Sequence, residues 1–353
     1  MHPHPLGGMQ ETIVIEREKD EWISMEPRSS YKDLSPGEIK HIIRTAGVVG
    51  LGGAAFPTAV KISPPEDAVI DSFILNGAEC EPYLTADYRL MVENTEEIVT
   101  GMKILMHALG IGKGYIAIED NKPLAIHKMK KAAPAGTGIK VVGLRTKYPQ
   151  GSEKQLIKTI LNREVPSGKL PHEVGVVVNN VATAAAVQEA LMKGKPLVER
   201  VVTVTGPNIV KPQNVRVRIG TPIKNLIEFC GGVTDKISKV ITGGPLMGIA
   251  QYSLETPLIK GTGGIVVFGP QDIRDSAETQ CIRCGLCADV CPMGLLPGEI
   301  ATDIENRQWE QAAMLGSADC IECSSCTYVC PAQRHLTQLI KYGKAKTPAA
   351  AVV

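Results

Sequence analysis

Eight of the ten cysteines lie between residues 281 and 330, in two copies of one spacing. The first copy is Cys281-x2-Cys284-x2-Cys287-x3-Cys291-Pro292, and the second is Cys320-x2-Cys323-x2-Cys326-x3-Cys330-Pro331. Three closely spaced thiolates can wrap three iron corners of a cube, and the fourth, turned aside before proline, reaches the other cluster in two-cluster ferredoxins. The segment is therefore expected to hold two [4Fe–4S] clusters. One would use Cys281, Cys284, Cys287 and Cys330, and the other Cys320, Cys323, Cys326 and Cys291. Structural zinc would want two separated cysteine pairs, and a secreted disulfide scaffold would scatter its cysteines over a shorter chain. Between the motifs, Pro297 and Gly316 bracket one expected helix, 298–315, long enough to fold back and set the motifs side by side.

The rest of the chain divides by texture. From 31 to 200, strand-like and helix-like segments alternate, which predicts a parallel sheet covered on both faces. Ser35-Pro-Gly-Glu38 reads as a capping box opening a helix with Ile39, Ile42 and Ile43 on its apolar face. Strands are expected at 69–75, 115–118, 139–144 and 174–178, and helices at 96–109, 124–133, 152–162 and 182–193. From 201 to 268, short β-type runs between Gly- and Pro-rich turns, with one helix over 223–230, predict a small α+β unit. Residues 269–345 read as helical and carry the cysteines, and 346–353 form a tail.

Several classes are excluded. Lys plus Arg number 38 against 37 Asp plus Glu, without a charge block, and aromatic residues are 4% of the chain, so no nucleic-acid partner is expected. No apolar run approaches the roughly 18 residues of a membrane helix, and the start, Met1-His-Pro-His-Pro5, lacks the signal-peptide pattern. The expectation is a soluble, cytoplasmic protein that can still dock onto a membrane complex. The two isolated cysteines, Cys80 and Cys230, read as small buried residues.

A second constellation lies in the alternating region. Gly50-Leu-Gly52-Gly53-Ala-Ala-Phe56-Pro57 is a glycine-rich loop whose backbone can approach a phosphate or a flat ring, with Lys61 beyond it as a cation. Asn76-Gly-Ala-Glu79-Cys80-Glu81-Pro82 follows one expected strand and Asn179-Asn180-Val-Ala-Thr183 another. Ligands of open α/β sheets bind outside the carboxyl ends of the strands, so the three stretches together predict a cofactor crevice. Clusters take electrons singly, nicotinamide gives them in pairs, and a flavin converts between the two.

These residues carry a resemblance. Gly50–Lys61, Asn76–Pro82 and Asn179–Thr183 resemble the flavoprotein subunit of respiratory complex I. More closely, Asn76-Gly-Ala-Glu-Cys-Glu-Pro-Tyr-Leu-Thr-Ala-Asp87, Gly243-Gly-Pro-Leu-Met-Gly248 and the doubled cysteine motif resemble the RnfC family, NADH-oxidising subunits of ion-translocating electron-transport complexes. The resemblance implies a Rossmann-like FMN and NADH domain, a β-grasp module of the SLBB type and an all-α two-cluster ferredoxin domain. It would place FMN on Gly50, Gly52, Gly53, Lys61, Asn76, Asn179, Asn180 and Thr183. NADH would meet Phe56, Glu81 and Glu153, with Tyr148 and Gly151 beside them. It implies an NADH-dependent oxidoreductase that passes electrons to ferredoxin-linked partner subunits of a membrane complex, peripheral at the cytoplasmic face and touching the membrane only through those partners. Departures are Ala78 and Ser152, where the complex I pattern has an acid and a glutamate. RnfC proteins also begin with a barrel-sandwich domain before a His-Pro-Leu-Gly-Gly stretch, here at His4–Gly8, so residues 1–30 are expected to be its remnant. A cobalamin reductase of the propanediol-utilisation type shares this architecture, and a flavin-free electron relay is the alternative from another class.

Overall fold

The computed structural model describes residues 1–16, 26–273 and 277–346. The expected remnant and tail therefore lie partly outside the described residues. The chain forms two compact units: residues 1–163 with 171–273, and 164–170 with 274–353.

The first unit starts with a hairpin, β1 (His2–Pro3) and β2 (Met9–Gln10). Its turn, with Gly7 and Gly8 both at positive φ, is tied down by the Gln251 side chain donating to Pro5 O and the Tyr252 hydroxyl donating to Gly8 O. Helix α1 (Pro36–Thr45) has the expected capping box: Ser35 N donates to Glu38 Oε2 at 2.8 Å, and Glu38 N donates to Ser35 Oγ. It buries Ile39 and Ile43 completely. One turn, α2 (Thr58–Lys61), follows the glycine loop. The chain then alternates through β3 (Ser72–Gly77), α3 (Ala86–Glu93), α4 (Thr95–Leu109), β4 (Gly114–Glu119), α5 (Pro123–Ala132), β5 (Ile139–Leu144), α6 (Glu153–Leu161), β6 (Val176–Asn180) and α7 (Val181–Met192).

The sheet is wholly parallel, in the order β5-β4-β3-β6. Phe73, Leu75, Ile116 and Ile118 lie in one buried core with the inner faces of α1, α4 and α7. Helices α4 and α7 cross backbone to backbone: a Cβ on Gly101 would sit 1.8 Å from Ala184 O. The strand expected over 174–178 starts at Val176, because 171–174 is a 3-10 turn.

Strands β7 (Glu199–Thr205), β8 (Gln213–Arg218), β9 (Lys239–Thr242), β10 (Ile249–Gln251) and β11 (Gly264–Phe268), with helix α8 (Ile223–Phe229), form a five-stranded sheet in the order β10-β9-β11-β7-β8. Only the β11–β7 pairing is parallel. This sheet has its own core around Val202, Val204, Ile223 and Ile265, and Cys230 is fully buried in it.

The second unit is helical: α9 (Leu286–Asp289), α10 (Pro297–Glu305), α11 (Trp309–Met314), α12 (Ser325–Val329) and α13 (Leu336–Lys346). The single helix expected over 298–315 is two, with Arg307 in the left-handed region at the break. Ile300, Ile304, Ala312 and Ile340 form its small core. Among the described residues, no helix is long and apolar enough to cross a membrane.

Candidate functional site

The two cysteine motifs repeat one backbone conformation. Arg283 and Gly285 in the first copy, and Glu322 and Ser324 in the second, all have positive φ. These reversals turn amides towards sulfur: Arg283 N donates to Cys281 Sγ and Glu322 N to Cys320 Sγ, both at 3.4 Å. Leu295 N donates to Cys291 Sγ. Cys291 joins Cys320, Cys323 and Cys326 in lining one cavity of about 340 Å³, closed by apolar residues such as Leu295, Pro297 and Ile340. Those are the four cysteines that crosswise ligation gives to one cluster. From the other set, Cys287 and Cys330 pack together against Ala301 and Leu336, while Cys281 accepts a hydrogen bond from the buried Arg334. Burial pushes the Cys320 thiol up to about 11, so its ionisation is tied to metal binding. The donor set, eight thiols in apolar surroundings with amides aimed at sulfur, fits cubane clusters.

In the first unit, β3 and β6 are neighbours, with Asn76 opposite Asn180 and Leu75 opposite Asn179. Both asparagine stretches therefore end at one rim of the sheet. Asn76 Nδ2 donates to Gly151 O at 2.8 Å and Gly151 N to Cys80 Sγ at 3.3 Å, which docks the 146–152 turn, with the half-buried Tyr148, onto the loop after β3. A Cβ on Gly151 would lie 3.1 Å from that sulfur. Burial pushes the Cys80 thiol up to about 11. Lys61 Nζ stands 2.5 Å from Glu153 Oε1, so these two expected site residues meet in an ion pair.

The glycine loop closes on itself where Gly50 N donates to Phe56 O, and it leaves Gly52, Gly53 and Phe56 exposed. Gly53, at φ +119°, takes a conformation that L side chains rarely adopt. Leu51 is held on both sides. Its N–H donates to the buried Thr183 hydroxyl at 2.9 Å, and its carbonyl accepts from Arg200 Nη2 at 3.0 Å. Asn180 caps α7 through Oδ1, donates Nδ2 to Asp87 at 2.6 Å and packs beside Gly52. Thr183 and Asn180 thus shape the loop from beneath.

Glu81 reaches the loop after β9, where its carboxylate accepts from Leu246 N at 3.1 Å and Met247 N at 2.6 Å. Two motifs that carried the resemblance therefore touch. Burial raises the Glu81 pKa against those bonds. Glu79 caps α3 by accepting from Asp87 N and Tyr88 N, and burial, with the neighbouring Asp87 charge, pushes it up to about 8. Burial also raises Asp87, against its bond from Asn180, and lowers the Arg200 guanidinium to about 10.

Sequence reasoning missed Glu119, Lys122 and Arg200. Lys122, buried, donates to Ala78 O at 2.7 Å and pairs with the equally buried Glu119 at 3.2 Å, fixing the loop after β3 from below. The signal that could have found them was a charge placed just after the apolar strand β4. Thr58 Oγ1, Gln150 Oε1 and Asn179 Nδ2, on three of the segments bordering this rim, are buried with no hydrogen-bond partner among the described residues. Unsatisfied polar atoms are rare in a native interior, and a polar ligand would answer them, so the residues present fit a bound flavin.

Three sequence families match in chain order: the Nuo51 FMN-binding domain over 43–189, the SLBB domain over 201–250 and the 4Fe-4S dicluster domain over 280–333. The last of these settles the metal as iron–sulfur rather than zinc. The RnfC-type subunit of the proton-translocating ferredoxin:NAD(+) oxidoreductase complex of Clostridium ljungdahlii is 51% identical over 99% of this chain and 77% of its own length. The chain belongs to the RnfC family. The corresponding subunit of the Na(+)-translocating ferredoxin:NAD(+) oxidoreductase complex of Acetobacterium woodii is 45% identical, over 97% of the chain and 78% of its own length. That of the ion-translocating oxidoreductase complex of Rhodobacter capsulatus is 44% identical, over 98% of the chain and 67% of its own length. A NAD+-reducing [NiFe]-hydrogenase chain, in its air-oxidized structure, is 20% identical with a TM-score of 0.60, covering 80% of this chain and 57% of that one, and shares the fold. Among RnfC proteins, then, this chain brings an FMN-binding α/β domain, an SLBB module and a 4Fe-4S dicluster domain together in one polypeptide.

Proposed function

We propose that this chain is the NADH-oxidising, electron-input subunit of an ion-translocating ferredoxin:NAD oxidoreductase complex. The carrying observation is the rim where the glycine loop, both asparagine stretches and the 146–153 turn meet, on a chain that also holds a dicluster domain. FMN, when bound, takes two electrons as hydride from NADH and releases them singly, and two [4Fe–4S] clusters carry them onward.

The chain's own residues bind and orient. Gly50, Gly52 and Gly53 present backbone to the flavin, Lys61 offers a cation to its phosphate, and Asn76 and Asn179 line the strand ends. Asn180 and Thr183 set the loop's shape. Phe56, Glu81, Tyr148, Gly151 and Glu153 border the NADH side. Hydride transfer needs proximity and exclusion of water rather than a general acid or base, which agrees with a site built of backbone and amide groups. Electrons pass to ferredoxin-like iron–sulfur partner subunits, and the chain sits peripherally on the cytoplasmic face through those partners.

The test is anaerobic purification of the chain, with flavin and iron assays and a spectrum on adding NADH. Stoichiometric FMN, about eight irons per chain and bleaching by NADH are expected. Iron without flavin, even after FMN is added back, would refute the reading.

A further inference from the structure

The glycine loop belongs to the flavin domain, yet much of what holds it comes from the β-grasp module. Arg200 is a residue of β7, only 5% exposed, and its guanidinium forks: Nη2 donates to Leu51 O, and Nη1 donates to Lys260 O. Asp87, which faces that guanidinium, is bonded in turn to Asn180, the residue packed beside Gly52. Lys260 Nζ donates to Gly47 O at 2.6 Å, ahead of the loop. Its neighbour Gly261 packs so closely on the loop that a Cβ there would lie 2.6 Å from Gly53 O. The Leu51 N–H is fixed by Thr183 from the flavin domain, whereas its carbonyl is fixed by the arginine of the β-grasp module.

We infer that Arg200 is a positioning residue for FMN: by holding the Leu51 carbonyl from the β-grasp module, it sets the backbone of Gly52 and Gly53 in the shape that receives the flavin. This rests on the functional reading above. A planar fork can span two carbonyls at once, which a lysine ammonium on its flexible stem does not reproduce. The module is accordingly part of the flavin site rather than an appended domain. The rival explanation is that Arg200 merely neutralises a buried Asp87, a role with no bearing on the loop.

Two variants of the full chain separate these. Arg200→Lys keeps a positive charge beside Asp87 and loses the fork. Arg200→Met/Asp87→Asn removes both charges, so no carboxylate is left buried and uncompensated, and it too loses the hold on Leu51. Each is purified anaerobically with its clusters, stripped of flavin and titrated with FMN by fluorescence quenching, while thermal midpoint and the absorption shape of bound flavin are recorded. Arg163→Met, which loses an exposed pair with Asp71, is the control. Both Arg200 variants are expected to bind FMN tenfold or more weaker than wild type, with an altered flavin spectrum and a thermal midpoint close to the control's. A single charge-assisted hydrogen bond is of that order. Wild-type affinity in either Arg200 variant overturns the inference, as does a loss of affinity that only tracks a fallen thermal midpoint. If the wild type itself takes up no FMN, the functional reading falls and this inference falls with it. If the wild type binds and the variants bind equally well, this inference alone falls.

Discussion

Replacing Cys291 and Cys323 together with serine separates the two ways in which eight thiolates can hold two cubes. Cys291 lies in the first motif and Cys323 in the second, yet both line the cavity of about 340 Å³. Under crosswise ligation they serve the same cluster, so the pair should lower iron from about eight to about four atoms per chain and leave one cluster intact. The complementary pair, Cys284→Ser with Cys291→Ser, lies wholly in the first motif but touches both crosswise sets. It should strip iron from both clusters. Iron and sulfide assays on anaerobically purified protein, with electron spin resonance of the reduced state, read the outcome. The unit's core is small, around Ile300, Ile304, Ala312 and Ile340, and metal binding contributes to folding in such domains. Helical circular dichroism therefore has to accompany the iron counts. One cluster surviving in Cys284→Ser/Cys291→Ser, with none in a folded Cys291→Ser/Cys323→Ser protein, would refute crosswise sharing.

Lys61→Ala should weaken FMN binding by ten- to a hundredfold, about the worth of one charge-assisted bond to phosphate, while Glu153→Gln leaves FMN affinity within a few-fold of wild type; flavin fluorescence titration checks both. Glu81→Gln should raise the KM for NADH without loss of flavin and speed amide exchange at Leu246 and Met247, whose N–H groups the carboxylate now holds; a fall in flavin content would contradict the assignment. Glu79 is raised to about 8 from an ordinary carboxylate value near 4.5, so the native state keeps a proton that the unfolded chain releases. Its contribution is full below the lower value and is lost as pH rises through the upper one. Stability of the wild type measured against Glu79→Gln should therefore fall between about pH 4.5 and pH 8, and a difference that rises with pH would refute the sign.

Local grammar was readable from the chain. The Ser35 capping box, the parallel strands of β3 to β6 and the cysteine spacing each depend on residues a few positions apart, and periodicity or spacing reports them. Contacts across long sequence separations were not readable. Helix α3 went unseen because its first turn is capped by Glu79 from the preceding loop, and Thr85 at its N-cap makes no side-chain cap. The break between α10 and α11 depends on one left-handed arginine, which composition does not flag. Arg200 reads as an ordinary charge at the start of a strand, and only folding brings it to Leu51, 149 positions earlier. Glu81 was assigned a role towards nucleotide from its motif, whereas its amide partners stand 165 and 166 positions away.

Gly101 has no polar task and lies nowhere on the rim, yet it determines where the rim is. Because α4 carries no side chain there, α7 can settle with Ala184 O where a methyl group would otherwise be. The first turn of α7 bears Asn180 and Thr183, the two residues that shape the glycine loop. Adding one carbon at position 101 would push that helix outward and carry both residues with it. A scan of substitutions for flavin retention would therefore show a sharp intolerance deep behind the crevice, at a residue no ligand touches. The cofactor's berth is dimensioned from the rear by an omitted atom, and its tolerances are inherited from helix packing rather than from the groups that face it.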